Sequence, residues 1–178
     1  MMMRMLGAGG LELMTDAIRT ADTNNPEGYF ELEQVKTLAK TDQHPWLADC
    51  RGRGVKIISF LLPYLPHAHN YQVIFMLRDL PEVIASQDRM LVSRGEPLAP
   101  SPSVLAVQLQ EDLSRVQRVL RGRRCFEVLD VHYNQAVADP AGEAHRVNRF
   151  LRGDLDVRAM AAAVNPALYR NRHQSYRM

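Results

Sequence analysis

One segment of the chain, residues 71–93 (YQVIFMLRDLPEVIASQDRMLVS), constrains the fold more than any other. It begins with an uninterrupted apolar run over residues 73–77 that ends abruptly at Arg78. Such a run, followed by helix signals, is typical of a central strand in a parallel sheet, because both faces of that strand are buried. The sequence therefore predicts a strand over residues 71–77, with Arg78 at its carboxyl end, where open α/β sheets bind ligands.

The residues after Arg78 predict a helix with a second polar group near the same edge. Asp79 is a good N-cap, and Glu82 follows at the spacing of a capping box. Ser86 lies nearly two turns beyond Asp79, on the same helix face and about 10 Å further along the axis. Because the arginine fork suits a phosphate and an extended side chain spans this distance, we expect Arg78 and Ser86 to bind one phosphate group together.

Strand and helix signals alternate along the rest of the chain. Apolar runs predict further strands over residues 11–14, 55–60 and 126–131. Helical spacing and cap signals predict helices over residues 2–8, 29–40, 80–93, 103–120, 140–151 and 157–164. This alternation predicts a single α/β domain over residues 1–178, with a mostly parallel sheet covered by helices on both faces in three layers. Residues 165–178 form a polar tail.

Composition narrows the possible functions. With 178 residues, 46% of them hydrophobic and 24% charged, the chain is an ordinary globular domain. It has no apolar run near the roughly 18 residues of a membrane-spanning helix, so we expect no membrane partner. A net charge of +2 is too small to indicate nucleic acid. Two cysteines, Cys50 and Cys125, favour a reduced, cytoplasmic compartment rather than a disulfide framework.

The arginine at a strand end with a serine eight residues later resembles the 3'-phosphate-binding motif of sulfotransferases, which use 3'-phosphoadenosine 5'-phosphosulfate (PAPS). Other segments, in order along nearly the whole chain, look like the bacterial branch of that family. They are residues 9–11, Thr15 with Asp16, NPEGYFE at 25–31, VKIIS at 55–59, residues 131–140 from VHY to DP, and NPALYR at 165–170. The resemblance implies a fold of the P-loop superfamily and transfer of a sulfuryl group from PAPS, as co-substrate, to a hydroxyl or amine of a small-molecule or glycan acceptor.

The resemblance also implies roles for individual side chains. Sulfuryl transfer needs a general base to take the proton of the acceptor. We expect Glu31, within NPEGYFE, to be this base or to contact the acceptor, and His132, at the end of the third strand, to be a second candidate. Arg170 and Arg172 match the basic C-terminal segment that covers the 3'-phosphate in the family. No metal is expected, since arginine, lysine and backbone donors can stabilise the transferring group.

One part of the family pattern is not found in the sequence. Sulfotransferases of this type begin with a strand and a loop resembling PRSGTS, whose backbone amides hold the 5'-phosphosulfate. Here residues 1–10, MMMRMLGAGG, look like the helix that follows the loop. Either the start codon was assigned too late, or the donor site was lost. Because the first strand lies centrally in the family's sheet, we expect the chain to be unstable or its neighbouring strands to close the gap by moving.

Two other functions fit the same residues. One is a non-catalytic remnant that binds adenosine 3',5'-bisphosphate or a protein partner. The other is a P-loop kinase relative, which predicts an upstream loop ending in Gly-Lys-Ser/Thr. Calorimetry with adenosine 3',5'-bisphosphate tests the first. The coding sequence upstream of Met1 tests the second, and in-frame stop codons directly before Met1 would exclude a wrongly assigned start.

Overall fold

Two parallel strands form a sheet in the part of the chain that the structure describes. The computed structural model describes residues 1–16, 18–19, 21–22, 25–93, 95 and 101–169. Within them, β1 (Tyr71–Leu77) pairs in parallel with β2 (Phe126–His132). The register aligns the first residues of the two strands, and it aligns Leu77 with His132 at the carboxyl ends. The strands predicted over residues 71–77 and 126–131 are therefore confirmed.

Helices make up most of the remaining regular structure. The α-helices of the described residues are α1 (Met2–Ala8), α2 (Leu80–Ser93), α3 (Pro102–Gly122), α4 (Tyr133–Ala138), α5 (Pro140–Leu151) and α6 (Val157–Ala162). Short 3-10 helices cover Glu33–Thr37, Pro45–Leu47, Ser59–Tyr64 and Pro166–Leu168. Helix α5 has its predicted bounds because the Asp139 carboxylate caps it, accepting a hydrogen bond of 2.9 Å from the Gly142 N–H. Helix α4 was not predicted, since six residues are too few for a periodic pattern.

The two faces of the sheet contribute to two separate core clusters. Along β1, Tyr71, Val73, Phe75 and Leu77 pack with a cluster that includes Val116, Leu120 and Trp46. The alternate β1 residues Ile74 and Met76 pack with a cluster that includes Met5, Val147 and Met160. Side chains of a strand point alternately to opposite faces, so both faces of β1 are covered by apolar groups. This is the environment predicted from the apolar run at residues 73–77, while the three-layer arrangement stays a prediction.

The strand predicted over residues 55–60 is wrong. Residues 55–58 have no regular secondary structure, and the 3-10 helix Ser59–Tyr64 follows them. The only bridge near this segment in the described chain is an isolated parallel one between Leu13 and Gly54. The short strand predicted over residues 11–14 is therefore also wrong, since only Leu13 forms a bridge there. An extended segment becomes a strand only where a second backbone pairs with it, and none pairs with residues 55–58 in the described part of the chain.

The helix predicted over residues 29–40 is also wrong, apart from the 3-10 turn Glu33–Thr37. Phe30 adopts a left-handed backbone conformation, with φ of 52°, and Leu32 is extended, with φ of −128°. Neither conformation belongs to a right-handed helix. The apolar spacing of this segment instead reflects side chains such as Val35 and Leu38, which are buried in the same core cluster as Phe75.

A large cavity runs along the edge of β1. Its volume is about 1060 Å³, and its lining includes consecutive residues 71–76 of β1 and 52–57 of the facing segment. Consecutive strand residues alternate between faces and share only the backbone edge, so the cavity follows that edge. The missing central strand, the movement of its neighbours and the expected instability all stay predictions.

A glycine in the contact between α1 and α6 provides a stability test. A Cβ atom at Gly9 would lie 2.6 Å from Cγ of Met160, a side chain with no exposed surface. We expect Gly9→Ala to lower the free energy of unfolding by about 1–3 kcal/mol, because a packed core resists added volume. Gly122→Ala, where no atom lies within 4 Å, should raise it by about 0.5 kcal/mol through helix propensity. Urea unfolding followed by circular dichroism measures both changes, and equal effects of the two substitutions would contradict the packing argument.

Candidate functional site

Arg78 lies where β1 and β2 end together. It directly follows Leu77, which pairs with His132, the last residue of β2. Tyr133 directly follows His132. Because the two strands end side by side, the side chains of Arg78 and Tyr133 are in contact, with Cζ of Arg78 4.9 Å from the centre of the Tyr133 ring. A guanidinium is attracted to the negative face of an aromatic ring. Arg78 therefore has the predicted position at the carboxyl end of β1.

Glu82, in the first turn of α2, is the anionic partner of Arg78. The Glu82 side chain is only 4% exposed. Its Oε2 accepts a hydrogen bond of 3.0 Å from Nε of Arg78, and its Oε1 accepts one of 2.6 Å from the hydroxyl of Tyr169. A buried carboxylate is costly unless it is paired and hydrogen-bonded, and these two donors help to offset the cost of burying Glu82.

Tyr169 brings the C-terminal part of the described chain to this site. It follows the 3-10 helix Pro166–Leu168, whose start is capped by Asn165 through a 3.0 Å hydrogen bond from the N–H of Ala167. The Tyr169 ring packs edge-to-face against Tyr133 at 5.2 Å between ring centres, and Cζ of Arg78 is 5.7 Å from its centre. Side chains from α2, from the start of α4 and from the segment after Leu168 thus surround the guanidinium of Arg78. We call Arg78, Glu82, Tyr133 and Tyr169 the arginine cluster.

The arginine cluster changes the titration of both tyrosines. The hydrogen bond to Glu82 is the largest of the causes that raise the pKa of Tyr169 to about 12. Burial raises the pKa of Tyr133; the nearby Arg78 charge lowers it and the Glu82 charge raises it, and the net direction is upward. Both phenols therefore stay neutral well above neutral pH, and the Glu82 carboxylate keeps its hydrogen-bond donor.

Removing the Glu82 charge should change the alkaline titration of Tyr169. The ordinary pKa is 10.0, and the folded protein raises it to about 12. The stabilisation from the neutral phenol is therefore complete below pH 10 and is lost as the pH rises toward 12. In Glu82→Gln we expect the pKa of Tyr169 to fall toward 10, because a neutral amide replaces the charged acceptor that favours the protonated phenol.

Tyrosinate absorbance during an alkaline titration measures this shift. Glu143→Gln is the matched control, since Glu143 is also a buried carboxylate, 5% exposed, and is paired with Arg146 on α5 instead. Tyr71, whose pKa is raised to about 12 mainly by burial, should titrate unchanged in both variants. Superimposable titration curves for wild type and Glu82→Gln would contradict the role given to the hydrogen bond.

Ser86 lies one turn beyond Glu82 on α2 and is half-buried. The four-residue spacing places Ser86 and Glu82 on one side of the helix, so the serine hydroxyl is on the side that carries the arginine cluster. In the described residues Arg78 makes its hydrogen bond with Glu82 and none with Ser86. A phosphate shared by Arg78 and Ser86 stays a prediction.

Glu31 belongs to a second group of charged residues, which shares no member with the arginine cluster. Its Oε1 lies 3.3 Å from Nη1 of Arg19 and 3.5 Å from Nζ of Lys56. Lys56 also donates a hydrogen bond of 2.9 Å to the carbonyl of Tyr29, and Cζ of Arg19 lies 3.4 Å from the centre of the Tyr29 ring. The carboxylate, 29% exposed, thus joins the segment after α1 to the segment that faces β1 across the cavity.

Three residues predicted to belong to the site remain, and the structure describes only one of them, His132. His132 ends β2 and is exposed at the same sheet edge as Arg78. Arg170 and Arg172 lie outside the described residues. The roles assigned to these three residues stay predictions.

Sequence reasoning missed the involvement of Glu82 and Tyr169. For Glu82 a signal was present, because its four-residue spacing from Arg78 is that of an ion pair on one helical face. For Tyr169 no local signal exists, since 87 residues separate it from its partner Glu82. Only the tertiary fold brings the phenol and the carboxylate together.

The described part of the chain contains neither a metal-binding cluster nor a membrane-spanning helix. No group of three or more His, Cys, Asp or Glu side chains there is placed to hold a metal ion. None of its helices is both long enough and apolar enough to span a membrane.

Comparison with known proteins identifies the family. A family model described as "Sulfotransferase family" matches residues 14–156, a range that includes Glu31, Arg78, Ser86 and His132. Searches of curated proteins and of solved structures found no match. Because the matched range covers most of the chain, this protein belongs to the sulfotransferase family.

Proposed function

We propose that this protein is a sulfotransferase that moves a sulfuryl group from PAPS to a hydroxyl or amine of a small-molecule or glycan acceptor. The observation that supports this most strongly is the position of Arg78 at the carboxyl ends of two parallel strands, held by a buried carboxylate and two aromatic rings. A guanidinium in this position suits a phosphate, and the edge is the one at which such sheets bind ligands.

In this proposal the arginine cluster binds the 3'-phosphate of the donor. The Nε of Arg78 is bonded to Glu82, which leaves the edge formed by its two Nη groups to pair with phosphate oxygens. The hydroxyl of Ser86 adds a further donor from α2, and Arg170 and Arg172 add charge from the C-terminal segment. All four residues bind the part of the donor that does not react.

The transfer itself is an in-line displacement at sulfur. The acceptor oxygen or nitrogen forms a bond to sulfur while the bond from sulfur to the bridging phosphate oxygen breaks. The acceptor proton passes to a carboxylate or imidazole, for which Glu31 and His132 are the proposed bases. The products are the sulfated acceptor and adenosine 3',5'-bisphosphate.

Binding of the product nucleotide tests the donor assignment. Calorimetric titration with adenosine 3',5'-bisphosphate should show saturable binding, whereas adenosine 5'-diphosphate, which lacks the 3'-phosphate, should bind far more weakly. Incubation with PAPS and a panel of phenols, alcohols, amines and glycans should then release adenosine 3',5'-bisphosphate only with an accepted substrate. Equal affinity for the two nucleotides would overturn the proposed 3'-phosphate site.

A second candidate is a nucleotide-binding protein without transfer activity. It would use the same 3'-phosphate site, because the hydrogen bond from Nε of Arg78 to Glu82 does not depend on sulfuryl transfer. This candidate predicts 3'-phosphate-dependent binding with no release of adenosine 3',5'-bisphosphate from PAPS in the presence of any acceptor. Acceptor-dependent release would exclude it.

A further inference from the structure

The arginine cluster contains a carboxylate at a site proposed to bind an anion. Glu82 carries a negative charge next to the guanidinium and is 4% exposed. Considered only as a charge, Glu82 should repel a phosphate and weaken its binding. The geometry of the cluster points to a different role, in which Glu82 orients Arg78.

The guanidinium of Arg78 is restrained in two ways. Nε donates to Glu82 at 3.0 Å, which fixes rotation of the planar group about the end of its side chain. The rings of Tyr133 and Tyr169 lie 4.9 and 5.7 Å from Cζ, which restrains the plane itself. An arginine side chain loses considerable conformational entropy when a ligand has to order it, so an arginine ordered in advance binds more tightly.

Glu82 is in turn restrained by Tyr169. The hydroxyl of Tyr169 donates to Oε1 at 2.6 Å, and the other carboxylate oxygen, Oε2, accepts from Arg78. Tyr169 therefore restrains the orientation of the carboxylate that contacts Arg78.

We propose that Glu82 and Tyr169 are positioning residues, which hold Arg78 so that its two Nη groups present a preformed fork to a phosphate. This inference rests on the proposed function for the identity of the nucleotide but not for the presence of an anion. Arg78 makes no second hydrogen bond within the described residues, which is consistent with an Nη edge reserved for a ligand.

The sign of one affinity change tests the proposal. Glu82→Gln removes a negative charge but retains the side-chain shape. If Glu82 acts only through its charge, this variant binds adenosine 3',5'-bisphosphate more tightly than wild type. If Glu82 positions Arg78, the variant binds about tenfold more weakly, since misplacing a binding group costs more than a screened charge contributes. Tyr169→Phe should weaken binding about threefold, because the carboxylate keeps its charge but loses one restraint.

Matched variants control for general effects on the fold. Glu143→Gln neutralises the other buried carboxylate, whose two oxygens each accept at 2.8 Å from Nη1 of Arg146. Tyr71→Phe removes a phenol that donates to the carbonyl of Pro66 at 2.8 Å. Both should bind the nucleotide as wild type does. If Glu82→Gln does not fold, the nucleotide affinities of Tyr169→Phe and Tyr71→Phe are compared instead, and only Tyr169→Phe should bind more weakly than wild type.

Two further measurements, the affinity for inorganic phosphate and the NMR signal of the Arg78 Nε–H group, test this inference independently of the proposed function. In a proton–nitrogen spectrum that signal is identified by its loss in Arg78→Lys, and it should shift in Glu82→Gln but not in Glu143→Gln. If wild type binds phosphate but not the nucleotide, and Glu82→Gln binds phosphate more weakly, the proposed function falls and the inference stands. Equal or tighter binding by Glu82→Gln, an unchanged Nε–H signal, or no binding of either anion would overturn the inference.

Discussion

Arg78→Ala should reduce the affinity for adenosine 3',5'-bisphosphate by at least about a hundredfold. A guanidinium pairs with a phosphate through two charge-assisted hydrogen bonds, each contributing about 1.5–3 kcal/mol, and every 1.4 kcal/mol is a factor of about ten. The substitution should also lower the free energy of unfolding by about 3–5 kcal/mol, because it leaves the buried Glu82 carboxylate without its cation. Calorimetry measures the first effect and urea unfolding the second.

A lysine variant separates the two consequences. Arg78→Lys retains the positive charge for Glu82 but lacks the planar fork, so affinity should fall about tenfold with a smaller loss of stability. Arg146→Lys is the matched control, since Arg146 also pairs with a buried glutamate, Glu143, in the first turn of a helix. A comparable loss of affinity in both lysine variants would show that the effect is general, and would remove Arg78 from the binding site.

Phe75→Ala should lower the free energy of unfolding by about 3–5 kcal/mol. Phe75 is the most buried residue of β1, 5% exposed, and belongs to a core cluster with residues from the first three 3-10 helices, α3 and β2. Removing the ring deletes contacts that join β1 to the elements on that face. Since a domain of this size is stable by only about 5–15 kcal/mol, the variant would lie close to the unfolding threshold.

Phe60→Ala is the control for this prediction. It makes the same chemical change at a side chain that is 50% exposed, and we expect a change within about 0.5 kcal/mol. Both variants can be compared by urea unfolding monitored by circular dichroism. Similar unfolding midpoints for the two variants would mean that the face of β1 containing Phe75 is not the stabilising core.

Local signals determined much of the fold. The apolar run at residues 73–77 specified β1 because a strand with both faces covered needs apolar side chains at every position. The Asp139-Pro140 pair specified the start of α5 through a cap and a first-turn proline. The position of Arg78 followed directly from these rules, because the first charged residue after a buried strand has to lie at its end.

Tertiary structure decided the remainder. Residues 55–58 have the composition of a strand but remain irregular, since a strand depends on a partner backbone that the local sequence does not contain. Residues 29–40 have helical spacing, yet the left-handed Phe30 and the extended Leu32 prevent a helix there.

The candidate site divides in the same way. The chain order alone placed Arg78 next to α2 and Glu82 four residues from it. The hydrogen bond between Glu82 and Tyr169 joins groups 87 residues apart, and the contact of Arg78 with Tyr133 depends on the parallel register of β1 and β2. Spacing along a chain specifies neighbours within about one or two helical turns, whereas contacts between distant segments depend on how the elements pack. The sequence by itself therefore determined which residue carries the charge at the sheet edge, and only the tertiary structure decided what holds that charge in place.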